Sequence, residues 1–169
     1  MSKQSVIILM GSRKDLGFAA PMGRVLEHFD VHYEYRIASA HKTPKDLLNI
    51  LENYEQTGDR IVYITVAGLS NALSGLVDAN TRFPVVACPP HSEKFGGADI
   101  YSSLRMPSGV APLVILNPES AALATVKIFA LENPSLLEKI REFQLKKKKE
   151  VNVANSEVRG KRISELKGV

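Results

Sequence analysis

The sequence predicts an α/β fold: a three-layer sandwich on a central, mainly parallel five-stranded sheet, closed by C-terminal helices. Three observations predict it. Apolar runs of strand length alternate along the chain with segments whose apolar residues recur at helical spacing. Several of those runs are continuously apolar, as strands covered on both faces are. The chain's 169 residues with 44% hydrophobic content can fill one such core.

The first run, "SVIILM" (5–10), precedes Phe18, Met22, Val25, Leu26 and Phe29, which share one helical face. "VHYEYRI" (31–37) alternates as a strand, and Leu47, Leu48, Ile50, Leu51 and Tyr54 follow at helical spacing. "RIVYITVA" (60–67) reads as a buried strand and "NALSGLVDAN" (71–80) as a helix. "FPVVAC" (83–88) and "PLVILN" (112–117) are the fourth and fifth strands, with a short helix in "ADIYSSLRM" between them. "PESAALATVKIFAL" (118–131) opens with Pro and Glu, as a first helical turn does. It is apolar on more faces than one sheet layer needs, so part of it is expected against a neighbouring copy. "NPSLLEKIREFQLKKKK" (133–149) has an Asn-Pro start and a face of Leu136, Leu137, Ile140 and Phe143. Residues 1–150 therefore form a single α/β domain, and 151–169, weakly periodic, an arm or tail.

Charge and composition narrow the function. Residues 141–169 carry nine Lys/Arg against four Asp/Glu, so the +4 of the whole chain leaves the rest at −1. The body thus shows no nucleic-acid surface. No apolar run approaches the ~20 residues that span a bilayer. The N-terminal run enters a glycine turn without a cleavage pattern, so it is not read as a secretory signal. A single cysteine, Cys88, fits a cytoplasmic protein and reads as a buried strand-end thiol. Four scattered histidines make no metal-ligand spacing, so no metal is expected.

In parallel sheets, ligands bind outside the carboxyl ends of the strands. The loops there are "GSRKD" (11–15), "ASAHKTP" (38–44), "AGLSNALSG" (67–75) and "PPHSEKFGGAD" (89–99), with "MPSGVAP" (106–112) entering the fifth strand. Their Gly, Ser and Ala residues let a ligand approach the backbone. "GSRKD" is neither a Walker loop nor a dinucleotide fingerprint. Its Ser12, Lys14 and Asp15 suit a phosphate and an adjoining ribose, or else form a capped turn with Asp15 at the N-cap. In "SAHKTP", Lys42 suits a phosphate as a point charge, and Thr43 is placed to cap the helix at Pro44. His41 alone among the histidines sits at a strand-to-helix switch, where it can move a proton or merely pack. No nucleophile elbow occurs.

"MGSRKD", "SAHKT", "ITVAGLSNALSG", "VACPP", "GGADIYSSLRMPSGVAP" and "AALATVKIF", in this order, resemble the 5-aminoimidazole ribonucleotide carboxylase family of purine biosynthesis over residues 5–135. The resemblance implies a flavodoxin-like (Rossmann-like) sheet. It implies His41 as the proton-transfer residue and Lys42 on the nucleotide phosphate. Ser12 and Asp15 would hold phosphate and ribose, with Lys14 beside them. Ser39, Gly68 and Ser70 would line the base and phosphate region. Ser103, Arg105, Met106, Pro107, Ser108 and Gly109 would shape the pocket for CO2 or the new carboxylate. It further implies a carboxy-lyase without cofactor that acts on a small-molecule substrate and forms a homo-octamer with shared active sites.

Two branches share this pattern, one using CO2 directly and one moving a carboxylate from N5 to C4. The mutase branch usually carries a second His in the third loop, where this chain has Ala72. "SNALSG", "ACPP", "SSLRMPSG" and Lys42 resemble the CO2-using branch. Lys14 stands where the family usually has Ser, and Leu69 where that branch usually has Arg. A mutase, or a divergent non-catalytic nucleotide-binding paralogue, are the alternatives.

Overall fold

A computed structural model describes residues 3–166, apart from the side chain of Phe95. At its centre lies β1 (Gln4–Met10), whose Val6, Ile7, Ile8, Leu9 and Met10 are all buried, so both faces are covered. β1 pairs in parallel with β2 (His32–Ile37), from Ser5 opposite His32 to Met10 opposite Ile37. On its other edge it pairs with β3 (Arg60–Val66), from Gln4 opposite Arg60 to Met10 opposite Val66. β4 (Val85–Ala87) and β5 (Leu113–Val114) extend the sheet to the order β2-β1-β3-β4-β5, and every pairing is parallel. This is the flavodoxin-like order expected, with the direction of winding reversing between β1 and β3.

Side-chain alternation assigns the layers. Ile7, Leu9, Ile61, Tyr63 and Val85 face one way and pack with Leu47, Ile50 and Leu51 of α2 (Pro44–Glu55) and Leu73 and Val77 of α3 (Leu73–Asp78). The opposite face, with Val6 and Ile8, is continued on β2 by their register partners Tyr33 and Tyr35. There α1 (Leu16–His28) crosses so closely that a Cβ on Gly23 would lie 2.5 Å from Tyr35 Oη and 2.9 Å from Tyr33 Oη. Tyr33 Oη donates to Glu27 Oε1 at 2.6 Å, and that bond pushes the phenol up to about 12. Gln4 Nε2 donates to Phe129 O at 3.1 Å, which places the end of α5 (Pro118–Ala130) on this face too.

Element ends differ from expectation where local side chains intervene. α3 starts at Leu73 rather than 71 because Asn71 turns its amide onto neighbouring loops, and ends as Asn80 Nδ2 donates to Leu76 O at 2.8 Å. β5 keeps only two paired residues, at the sheet edge. α4 (Tyr101–Leu104) is a single turn, preceded by a 3-10 stretch, Lys94–Ile100. The contacts divide the chain into two units, 1–129 and 130–169. The second unit holds α6 (Pro134–Val158), capped by Asn133 Oδ1 accepting from Leu136 N at 3.2 Å. α6 runs on through position 150, where the sequence reading begins the tail, because no Gly or Pro interrupts it before Gly160, at φ +78°. Residues 167–169 of that expected tail lie outside the described residues.

Ala in place of Gly in a helix normally gains about 1 kcal/mol. Gly23→Ala is expected to reverse the sign and cost about 1–3 kcal/mol, because the methyl drives into two hydrogen-bonded tyrosines. Adding Tyr35→Phe removes the nearest atom and should recover most of the loss in urea unfolding. A stabilised single variant would refute the close crossing.

Candidate active site

Because all strands run parallel, the loops after them emerge along one edge, and backbone bonds hold them side by side. Ala38 N donates to Met10 O (3.0 Å), Gly11 N to Val66 O (2.9 Å), Cys88 N to Thr65 O (2.8 Å) and Ile115 N to Ala87 O (3.0 Å). Gly11 lets the first and third loops meet: a Cβ there would lie 3.3 Å from Ala67 Cβ.

The first loop is closed by its own carboxylate. Asp15 Oδ2 accepts from Ser12 N (2.9 Å) and from Ser12 Oγ (3.1 Å) across a single 3-10 turn. Asp15 does stand at the N-cap position of α1, but its side chain makes no cap bond there and faces back onto Ser12, the N-cap of the 3-10 turn. Both are half-buried, whereas Lys14 is exposed. In the second loop, Ser39 N donates to Thr43 Oγ1 (3.0 Å) and Lys42 N to Ser39 Oγ (3.2 Å). Thr43 thus spends its hydroxyl on Ser39 rather than capping α2, as the sequence suggests it would. The closed turn presents His41 and Lys42, both exposed, at the head of α2.

The third loop is tied to the segment before α4. Asn71 N donates to Ser102 Oγ at 2.9 Å, and Asn71 Nδ2 to Ser103 Oγ at 2.9 Å. Asn71 Oδ1 accepts from Ser74 N at 3.3 Å. Ser102 Oγ also lies 3.0 Å from Leu69 O and 2.7 Å from Asp99 O, and can donate to one of them at a time. These bonds hold Leu69 at φ +58° with the residue 53% exposed. That conformation costs an L-residue roughly 1–2 kcal/mol, and so exposed a residue does little to offset it. Leu69, Ser70, Ala98, Asp99 and Ser102 line a cleft of about 290 Å³.

The remaining sequence candidates spread over this edge. Gly68 lies beside Pro90 of the fourth loop. Ser70, Arg105, Pro107, Ser108 and Gly109 are exposed and Met106 is half-buried, its Sδ 3.2 Å from where a Cβ on Gly75 would stand. Ser103 is buried, its hydroxyl occupied by Asn71. Thr65 Oγ1 and Ser74 Oγ, which bracket the third loop in sequence, are buried without a hydrogen-bond partner among the described residues. Burial pushes the Cys88 thiol up to about 12, so it is no nucleophile at neutral pH. No group of three or more His, Cys, Asp or Glu placed to hold a metal occurs among the described residues. No described helix is long and apolar enough to cross a membrane.

The profile of the AIR carboxylase family (AIRC) matches residues 5–150. This chain belongs to that family. Among similar proteins, the phosphoribosylaminoimidazole carboxylase of Archaeoglobus fulgidus is 52% identical over 153 residues, covering 90% of this chain and 84% of that protein. The phosphoribosylaminoimidazole carboxylase of Treponema denticola is 46% identical over 138 residues, covering 82% and 87%. A bifunctional phosphoribosylaminoimidazole carboxylase/phosphoribosylaminoimidazole succinocarboxamide synthetase of Rattus norvegicus is 40% identical across 85% of this chain, but the match spans 34% of that longer protein. The crystal structure of Treponema denticola PurE superposes with a TM-score of 0.91 at 41% identity, covering 93% of this chain and 99% of that one.

Within this AIR carboxylase fold, Asn71 and Ser102 organise the third loop, and neither stands among the residues singled out from sequence. Asn71 carried a usable signal, an Asn just before a helix with Ser three residues on. Ser102 carried none, because its partners in the third loop, Leu69 and Asn71, lie some thirty positions away. Asn71→Ala is expected to cost about 1–3 kcal/mol, by stranding Ser103 Oγ and Ser74 N in a buried site. Urea unfolding measures it. A loss below about 0.5 kcal/mol, the scale of surface substitutions, would show that these bonds carry no weight.

Proposed function

We propose that this protein carboxylates 5-aminoimidazole ribonucleotide at C4 with CO2, giving the 4-carboxy ribonucleotide of purine biosynthesis. Family membership supports the reaction. Ala72, exposed at the head of α3, supports CO2 as the donor, because this position carries the second His of the mutase branch.

The substrate's aminoimidazole is an enamine, and its C4 is already nucleophilic. C4 attacks the CO2 carbon, a C–C bond forms, and one C=O electron pair moves onto oxygen as carboxylate. C4 then carries both hydrogen and carboxylate. His41 takes that proton, and the C–H pair returns to the ring and restores its aromaticity. In the reverse direction the same imidazole returns the proton. Such a reaction calls for no ATP, biotin or metal. It asks the protein to orient two reactants and to supply one proton carrier working near neutrality.

Lys42, fixed through its backbone by Ser39, would meet the phosphate as a point charge. Lys14, Ser39, Gly68 and Ser70 would lie along the phosphate and base. Asp15 spends only Oδ2 on Ser12, which leaves Oδ1 to accept ribose hydroxyls. Ser103, held by Asn71, would support the carboxylate pocket of Arg105, Met106, Pro107, Ser108 and Gly109 from beneath. We further place the enzyme in the cytoplasm as a homo-octamer. Exposed Leu113 and Leu116, at and beyond the edge strand, with exposed Tyr101 and Leu104, support self-association.

His41→Asn should cut turnover at least ~100-fold, the scale of general acid–base catalysis, while ribonucleotide binding by calorimetry survives. Near-normal turnover would remove His41 from its role. With the wild-type enzyme, the rate should follow dissolved CO2 rather than bicarbonate. Given the N5-carboxylated ribonucleotide, trapping free CO2 should abolish product. Full-rate product under trapping would replace the carboxylase with the mutase.

A further inference from the structure

The Met106–Ala111 segment meets one short helix at both of its ends. At the near end, Met106 Sδ sits 3.2 Å from the place a Cβ on Gly75 would occupy, so only the missing side chain lets it seat. At the far end, Ala111 N donates to Asp78 Oδ2 at 2.7 Å, a charge-assisted bond. Gly75 and Asp78 are three residues apart on α3, hence on one helical face. Between the anchors the chain makes a tight turn: Val110 N donates to Pro107 O at 3.2 Å, and Gly109 takes φ +85°. Pro107, Ser108 and Gly109 form its exposed tip. α3 itself is fixed, with Leu73 and Val77 in the core and Asn71, before its first turn, bonded to Ser102 and Ser103.

We propose that α3 is a two-point clamp on the Met106–Ala111 turn, and that Gly75 and Asp78 are positioning residues for the 106–109 tip that shapes the carboxylate pocket. The inference rests on the carboxylase reading for what the tip does, but not for the clamp itself. A methyl at Gly75 would stand closer to sulfur than the 3.5–4.0 Å of a relaxed contact and push Met106 by a few tenths of an ångström. Loss of the Asp78 carboxylate frees the other end. Neither change touches the phosphate loops, so both should act on the reacting centre rather than on nucleotide capture. Misplacements of this size cost rate steeply, on the order of 10²-fold per ångström.

The test uses the full chain and two readouts. In Asp78→Ala, amide hydrogen exchange across 106–112 should rise at least ~10-fold while the β3 segment stays protected. Turnover should fall ~10-fold with the ribonucleotide dissociation constant within about twofold. Asp78→Asn keeps an acceptor oxygen and should recover most of both. Gly75→Ala should lower turnover similarly, and the double variant should lose less than the product of the single losses, since both act through one turn. Unchanged exchange at 106–112 in Asp78→Ala would overturn the clamp. So would a rise shared by β3, which would reduce Asp78 to general stability. If the wild type forms no product, the carboxylase reading fails, and the exchange arm still decides the clamp.

Discussion

Parallel pairing is the constraint on which the rest depends. Two parallel strands cannot be joined by a hairpin, so each connection must cross a face of the sheet and return to the same end. β1 is the extreme case, apolar on both faces and paired along both edges. Once β1 is buried in this way, helices must cover both faces, and every strand delivers its following loop to the same edge. The active-site edge is thus a by-product of solving the burial problem of a few continuously apolar strands. The loops are free to carry Gly, Ser, His and Lys because the strands beneath them already supply the stability.

What the sheet delivers, short polar side chains then shape. Asp15 on Ser12, Thr43 on Ser39 and Asn71 on Ser102 and Ser103 each close a loop by a side-chain bond. Such bonds are individually worth about 1 kcal/mol, yet each removes freedom from a segment that would otherwise fluctuate. The third loop shows how far this goes, because it holds Leu69 in a left-handed conformation at a solvent-facing position. Strain of this kind persists only where surrounding bonds over-determine the backbone. It sits on the cleft rather than in the core.

The sequence made the sheet legible because both of its signals are local. A run such as "SVIILM" needs no partner to announce a buried strand, and the helical spacing of Leu47, Ile50 and Leu51 announces the face that covers it. The loop chemistry was legible in kind, since His41, Lys42, Ser12 and Asp15 lie in segments a few residues long. It was illegible in detail wherever a bond joins distant positions. Nothing near Ser103 in the string of letters announces that in space it is buried and accepts from Asn71 Nδ2. Thr43 looks like a cap and instead closes the preceding turn. The extent of α6 was missed for another reason: its second half has little apolar periodicity, and only the first helix-breaking residue, Gly160, marks how far it runs.

Cys88 has a use that follows from its place in the fold. The thiol is wholly buried at the end of β4, its sulfur 3.7 Å from Leu116 O, and burial raises it to about 12. It cannot cross-link copies of the chain or be alkylated while the sheet is intact, and it is the chain's single cysteine. Its modification therefore waits on an opening of the fold that uncovers the end of β4. A thiol reagent becomes a clock for that opening, read without any engineered label.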